Sequence, residues 1–366
     1  MSNVVIVRSN SLLYDPRVRK ISRSLNKRYS ILLLGWNREG LPRSMTDNFF
    51  ADLRLFDLRA PFGRRSLLLY LPLFWIWIFF NLIREWPSVV HACDLDLILP
   101  CYIYKLIFRK KLVFDVFDRY AMTHVPPKHK RLYSLVTSLE EFYSQRSDVL
   151  VNVSERLQWS FKKRPSRCAV IMNCAEDYWI ERVRSDSDKL HILHSGGIRR
   201  TRGLEQLTTA IKGLSNVQLY IAGRVVNEDL KHEILAVSNV KYKGILSQEE
   251  VFAMEAQCDV SVALYDPTDP INKFSIGNKL FESMMLGLPI ITNVSAEIVN
   301  EVGNGFVVNY NDIDQIRKTI VTLRDNPKLR EQLGNNARKA FLQKYNWAIM
   351  EEKLYEFYDD LVAEKK

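Results

Sequence analysis

An α/β fold built from two Rossmann-like, doubly wound parallel-sheet domains is predicted for this sequence on three grounds. Apolar runs of strand length alternate with amphipathic stretches of helix length along the whole chain. The rhythm pauses once, over the polar stretch Cys174 to Asp188, and then restarts, which puts a hinge near residue 180. Finally, 366 residues with 47% hydrophobic content hold core material for two domains, at roughly 150 residues each.

The elements follow in order. Val4 to Val7 reads as a strand and Pro16 to Leu25 as a helix; Pro16 suits a first helical turn, where its missing N–H would be unpaired anyway. Strands are expected at Ile31 to Leu34, Val89 to Ala92, Lys111 to Asp115 and Val149 to Val153. The last three are apolar through their middles, as strands covered on both faces must be. That βαβα order implies a parallel sheet with helices on both sides. The second half repeats it with Leu190 to His194, Val217 to Ala222, Val240 to Tyr242, Val260 to Leu264 and Pro289 to Thr292. Gly203 to Leu214 is an intervening helix, and Ser247-Gln-Glu-Glu250 has the spacing of a capping box. Asp312 to Arg324, Lys328 to Phe341 and Trp347 to Val362 close the chain as helices.

Ser66 to Ile83 departs from the pattern. It is apolar on all faces, carries Trp75 and Trp77, and lies between Arg64-Arg65 and Arg84, with Trp86 just beyond. About 18 residues is the lower limit for a bilayer span, and Pro72, Asn81 and the continuity of the sheet oppose one. The expectation is a helix lying in the interface of an anionic membrane, with a fully buried core helix as the alternative.

Composition narrows the chemistry. The five cysteines (Cys93, Cys101, Cys168, Cys174, Cys258) are scattered, no CxxC occurs, and the six histidines lack ligand spacing. Neither a disulfide framework nor a zinc site is indicated, which suits a reducing cytosol. The start, Met1 to Val7, reads as a strand rather than a secretory leader. A formal charge of +10 suits nucleic acid, an anionic membrane or phosphorylated small molecules, or simply a solvated basic face. No nucleic-acid module accompanies it, so no nucleic-acid partner is expected. Arg8-Ser-Asn-Ser-Leu-Leu lacks the GxGxxG of a nicotinamide dehydrogenase.

The strongest local signal runs from Asn272 to Ile291. Ser275-Ile-Gly277 reads as a loop opening a helix that Leu286-Gly287 closes. A glycine at the helix mouth lets phosphate oxygens approach free N–H groups, where the helix dipole favours negative charge. Lys279 would add a point charge, and Glu282, one turn further, could accept from paired ribose hydroxyls. An ordinary βα turn is the alternative.

This segment resembles the donor-site signature of retaining glycosyltransferases of family 4, among the group 1 glycosyl transferases. The variant concerned reads Ser-x-Pro-Asn-Lys-Leu-Phe-Glu-x-Met-x-x-Gly-x-Pro, with Gly277 here replacing the proline. Tyr14 to Lys20, Val90 to Asp96, Ser147 to Glu155, His194 to Gly203 and Tyr345 to Trp347 resemble further stretches of that family in order. The resemblance implies a GT-B fold, two Rossmann-like domains facing a central cleft. Residues 1–175 would bind the acceptor, 176–345 the nucleotide-sugar donor, and 346–366 would form a closing helix packing back on the N-terminal domain. It places Arg202 at the phosphates, with Arg199 or Arg200 as seconds, and Glu282 at the ribose. Ser275, Gly277, Asn278 and Lys279 would form the donor loop. Gly223, Arg224 and Lys243 to Leu246 would border the base. Arg17, His91, Asp94 and Asp118 fall on the acceptor side, His91 being equally a packed histidine. Asp118, Arg202 and Glu282 are the candidate catalytic residues.

Two departures bear on activity. Phe274 stands where many relatives have a glutamate touching the sugar, and Phe117 where they often have a histidine. Asp94-Leu-Asp96 matches the metal-holding DxD of a different fold, but its place after an N-domain strand argues against that role, and neither metal nor cofactor is expected. The resemblance implies transfer from a nucleoside-diphosphate sugar to a lipid-linked or cell-surface saccharide, by a cytoplasmic protein peripheral at the inner face of the membrane. A catalytically inactive partner subunit that binds nucleotide or membrane, a sugar-nucleotide epimerase and a phosphorylase are the alternatives.

Overall fold

A computed structural model describes residues 3–9, 15–40, 51–60, 67–126, 128–181, 188–274 and 276–363. The chain divides into two compact units, Met1–Asn173 with Met350–Lys366, and Cys174–Ile349.

The first unit is a βα succession: β1 (Val4–Arg8), α1 (Pro16–Asn26), β2 (Ile31–Trp36), β3 (Asp52–Phe56), α2 (Leu67–Glu85), β4 (Val89–Cys93), α3 (Ile98–Phe108), β5 (Lys111–Val116), α4 (Tyr120–His124), α5 (Lys130–Arg146), β6 (Val149–Asn152), α6 (Glu155–Trp159) and β7 (Arg167–Val170). All strands are parallel in the order β3-β2-β1-β4-β5-β6-β7, so β1 lies at the point where the winding reverses. The residues of β1, β2, β4 and β6 are all buried, as the apolar runs require, whereas edge strand β3 is half-exposed. Asp15 caps α1, its Oδ1 accepting from the N–H groups of Arg17 and Val18, each at 3.1 Å.

In the second unit the elements are β8 (Leu190–Ser195), α7 (Leu204–Ile211), β9 (Val217–Ala222), α8 (Glu228–Leu235), β10 (Val240–Tyr242), α9 (Gln248–Ala256), β11 (Val260–Ala263), α10 (Asn278–Met285), β12 (Ile290–Thr292), α11 (Ala296–Val302), β13 (Gly305–Val307), α12 (Ile313–Asp325) and α13 (Pro327–Gln343). This sheet too is parallel, ordered β10-β9-β8-β11-β12-β13, with β8 at the reversal. Its core is Leu/Ile/Val-rich, from Ile192 and Leu219 to Ile316 and Leu323. The capping box at Ser247 and Glu250 is present in both directions. Helix α14 (Trp347–Ala363) groups with the first unit from Met350 onward. There Glu351 meets Lys27 at 2.8 Å, Asp359 meets Arg28 at 3.0 Å, and Tyr355 Oη donates to the Ser24 carbonyl at 2.8 Å.

Helix α2 is neither buried on all sides nor free of the core. Leu71, Phe74, Ile78 and Leu82 are buried, while Leu69, Leu73, Ile76 and Phe80 are 77, 53, 55 and 66% exposed. Trp75 and Trp77 differ from the expected headgroup anchors. Trp75 Nε1 donates to the Asp96 carbonyl at 2.6 Å, and the Trp77 ring lies 5.5 Å from Phe56 and 5.7 Å from Phe74. Arg64, Arg65 and Ser66 lie outside the described residues. Among the described residues, no helix is long and apolar enough to cross a membrane.

Candidate functional site

In open parallel sheets, ligands bind outside the carboxyl ends of the strands where the winding reverses. In the second unit that place is the end of β8, between the ends of β9 and β11. The backbone approaches itself closely there. Gly223 has φ +146°, and a Cβ on it would lie 2.0 Å from the Gly196 carbonyl oxygen, so only glycine is accommodated. The loop after β8 is tied to the loop after β11, Asp266 N–H donating to the Thr201 carbonyl at 3.1 Å. Asn293 fixes the second loop by gripping Tyr265, accepting from its N–H at 2.8 Å and donating to its carbonyl at 2.7 Å.

These ties bring Arg202 over the Tyr265 ring, 4.6 Å from its centroid. Tyr265 in turn sits at the mouth of α10: a Cβ on Gly277 would come within 2.6 Å of its hydroxyl. Gly277 is the N-cap and offers no side-chain cap, so the first N–H groups of α10 receive none from it. Lys279, the second residue of the helix, contacts Glu282 directly and Glu255 Oε1 at 3.6 Å. Burial opposes the Lys279 charge, but Glu282 and Glu255 outweigh it and raise its pKa. Glu255, fully buried on α9, accepts from Ser195 Oγ at 3.1 Å. Burial pushes its carboxyl up, against the pull of Lys279. Next to Ser195 on β8, His194 is 5% exposed.

The expected donor residues thus divide. Arg202, Gly277, Asn278, Lys279 and Glu282 gather at the α10 mouth and its first turn, and Gly223 lies against Gly196. Arg200 does not join them: its guanidinium is spent on Glu205, Asp229 at 2.6 Å and Glu233 at 3.0 Å, an exposed network. Arg199 and Arg224 are exposed. Ser275 lies outside the described residues. Glu255 and Tyr265 carry no sequence motif, only their positions on the helix before β11 and at the end of β11, whereas His194 and Ser195 open the His194 to Gly203 stretch without being singled out within it.

On the acceptor side of the first unit, the expectations for Arg17 and Asp94 are corrected, and His91 takes the packed alternative. Arg17, 3% exposed, donates to both Asp115 oxygens at 3.1 and 2.7 Å and to the Ile171 carbonyl, so it braces the sheet. His91 is fully buried between Tyr358 Oη at 2.7 Å and Asp115 Oδ2 at 3.2 Å, the packed-histidine alternative. Asp94 is neutralised by Arg8 and accepts from Phe117 N–H at 3.1 Å, joining the ends of β4 and β5. Burial and neighbouring Asp94 push the Asp96 carboxyl up to about 6, against a hydrogen bond from Ser9 and the Arg8 charge. Asp118 is half-buried in the turn between β5 and α4. His91, Cys93 and Asp115 are the group of metal-ligand composition among the described residues. Asp115 is already held by Arg17 and His91, which keep its carboxyl below the usual range despite burial.

Residues 176–340 match the family model of the glycosyl transferases group 1. The second unit belongs to that family. The chain is 24% identical over 191 residues to the capsular polysaccharide biosynthesis glycosyltransferase CapM of Staphylococcus aureus, covering 49% of this chain and 48% of that one. It is 25% identical over 119 residues to a GDP-mannose-dependent monoacylated phosphatidylinositol monomannoside mannosyltransferase of Corynebacterium glutamicum, covering 32% and 31%. It spans less than two thirds of the length of each curated relative it matches, between 31% and 62%. Among solved structures, sucrose-phosphate synthase from Thermosynechococcus elongatus aligns with a TM-score of 0.79 at 15% identity, over 99% of both chains. HepE of Anabaena, in complex with UDP and glucose, aligns at 0.74 and 15%, over 98% of this chain and all of that one. At such identities the likeness is of fold, and the fold is GT-B.

Proposed function

We propose that this chain is a retaining, metal-independent glycosyltransferase that moves a hexosyl group from a nucleoside-diphosphate sugar to a hydroxyl. The observation that carries the reading is the glycine-opened mouth of α10, with Lys279 inside it and Arg202 on Tyr265 beside it. A helix N-terminus and two cations so arranged suit a diphosphate, and Glu282 one turn further suits the ribose. HepE, whose structure holds UDP and glucose, shares the fold.

In this reading the bond from the anomeric carbon to the diphosphate breaks and its electron pair goes to the leaving oxygen. Arg202 and Lys279 stabilise the charge developing there. The acceptor hydroxyl forms the new bond on the same face while its proton passes to the departing diphosphate. Asp118 orients the acceptor. The acceptor is a lipid-linked or cell-surface saccharide, in keeping with the names of CapM and the phosphatidylinositol mannoside transferase. The protein works in the cytoplasm at the inner face of the membrane. It docks there through the exposed face of α2, with Ile103, Leu106 and Ile107 of neighbouring α3 beside it. Exposed Arg84 and Arg109 complement anionic lipid.

The test is a transfer assay over UDP-, GDP- and ADP-sugars with lipid-linked saccharide acceptors, run with and without EDTA. Turnover with an axial product from an axial donor, unaffected by EDTA, is expected. Donor binding without turnover would instead favour the inactive-subunit reading, and EDTA-sensitive turnover would end metal independence.

A further inference from the structure

We propose that His194 is a further donor-site residue, a neutral imidazole whose ring N–H donates to a diphosphate oxygen of the bound sugar nucleotide. The inference rests on the donor-site reading above and adds a residue to it.

His194 is 5% exposed, and neither Nδ1 nor Nε2 has a hydrogen-bond partner. Buried polar side chains are nearly always paired, so two orphaned nitrogens on one ring need an explanation. Its surroundings supply one. The charged groups that act on the ring are Lys279 and Arg202. Both are donors only, with no lone pair to offer, so neither can accept from the imidazole N–H. The donor of the ring therefore lacks an acceptor, and an anion is the acceptor that two neighbouring cations attract. The ring also lies beneath the close backbone approach at the end of β8: a Cβ on Gly196 would sit 3.6 Å from Nε2. Any side chain there would crowd the approach to the ring.

Protonation is suppressed. Burial first, then Lys279 and Arg202, push the imidazolium form down to about 3. The ring is thus neutral at working pH and adds a hydrogen bond rather than a third charge.

The experiment measures binding of UDP, GDP and ADP, and of their monophosphates, by calorimetry. Wild type, Arg202→Ala, His194→Phe and His194→Gln are compared. Arg202→Ala reports on the donor site itself. His194→Phe is expected to weaken the diphosphate that wild type prefers by roughly 10- to 100-fold, the size of a hydrogen bond to a charged group. His194→Gln, which keeps an N–H, should recover part of that, and monophosphate affinity should change less. Ring 15N spectra of histidine-labelled wild type, with the His194 signal assigned by its loss in His194→Gln, give a second readout. Addition of the diphosphate should shift that signal. Should His194→Phe fail to fold, this shift decides the matter. If Arg202→Ala lowers diphosphate affinity while His194→Phe does not, or the ring signal stays still, the role of His194 is overturned and the donor site stands. If no diphosphate binds wild type, or Arg202→Ala binds as wild type does, both fall together.

Discussion

Arg202, Lys279 and Glu282 do different jobs in the proposed site, and single substitutions separate them. Arg202 rests on the Tyr265 ring with no carboxylate partner among the described residues, whereas Lys279 is held by Glu282 and Glu255. Arg202→Ala and Glu282→Ala should each weaken nucleotide binding by about 1.5–3 kcal/mol, the range for a hydrogen bond to a charged group. Both proteins should remain folded, since Arg202 is partly exposed and Glu282 is on the first turns of a helix. Calorimetric titration checks this, and unchanged affinity in both variants would remove the site. Gly223 is a different case, because its φ of +146° and the 2.0 Å approach to the Gly196 carbonyl leave no room for a methyl group. Gly223→Ala should destabilise the second unit by 2 kcal/mol or more, to order of magnitude, which thermal denaturation would register. That Gly277, Asn278, Lys279 and Glu282 share the opening of one helix is legible because their spacing is set by that helix. Arg200 was misread because sequence cannot reveal that carboxylates from two other helices, Glu205 on α7 and Asp229 and Glu233 on α8, meet it. The structural roles of Arg17 and Asp94 are hidden from sequence for the same reason: Asp115 and Arg8 come from distant parts of the chain.

At the scale of the element, α2 carries the membrane proposal. A sequence apolar on every side does not reveal which side the fold covers, and the answer here is one side only. The buried row of Leu71, Phe74, Ile78 and Leu82 leaves Leu69, Leu73, Ile76 and Phe80 outward. Substitution of Trp75 or Trp77 would disturb the contacts to Asp96 and Phe56, so the informative positions are the outward ones. Leu73→Glu with Phe80→Glu should abolish flotation on liposomes containing anionic lipid and leave the melting temperature nearly unchanged. Wild type that ignores such liposomes would contradict the proposal. Strands β1, β2, β4, β5, β6, β8, β9, β11 and β12 are readable as buried or largely buried apolar runs, and β10, with exposed Lys241 at its centre, from its place in the alternation. β3, β7 and β13 are not: Asp52–Phe56 is a half-exposed edge interrupted by Arg54, and Arg167–Val170 and Gly305–Val307 are short and half-buried.

For the molecule as a whole, half-buried Asp96 and buried Asp115 make stability depend on pH in opposite senses. Asp96 is pushed from 3.8 up to about 6, mainly by burial. A carboxyl raised in the folded state contributes stability that is complete below its unfolded value and lost as pH rises through its folded value. Wild type should therefore lose up to about 3 kcal/mol from this group between pH 4 and 6. Asp96→Asn keeps a side-chain acceptor and should remove that loss, so its advantage over wild type should grow across the interval and level off above it. Parallel urea-denaturation curves at pH 4.5 and 7 would contradict this. Asp115 acts in the opposite sense: held down by Arg17 and His91, it contributes stability that is lost as pH falls. The central claim, however, is that the second unit binds a nucleoside diphosphate at the mouth of α10. A thermal-shift titration of nucleoside diphosphates and their sugars, on wild type and on Arg202→Ala with Lys279→Met, tests it most directly. At least one compound should stabilise wild type, by about 2.7 kcal/mol at a hundredfold excess over its dissociation constant, and lose most of that effect on the double variant. A wild type that no compound stabilises, or a double variant stabilised as strongly as wild type, would contradict it.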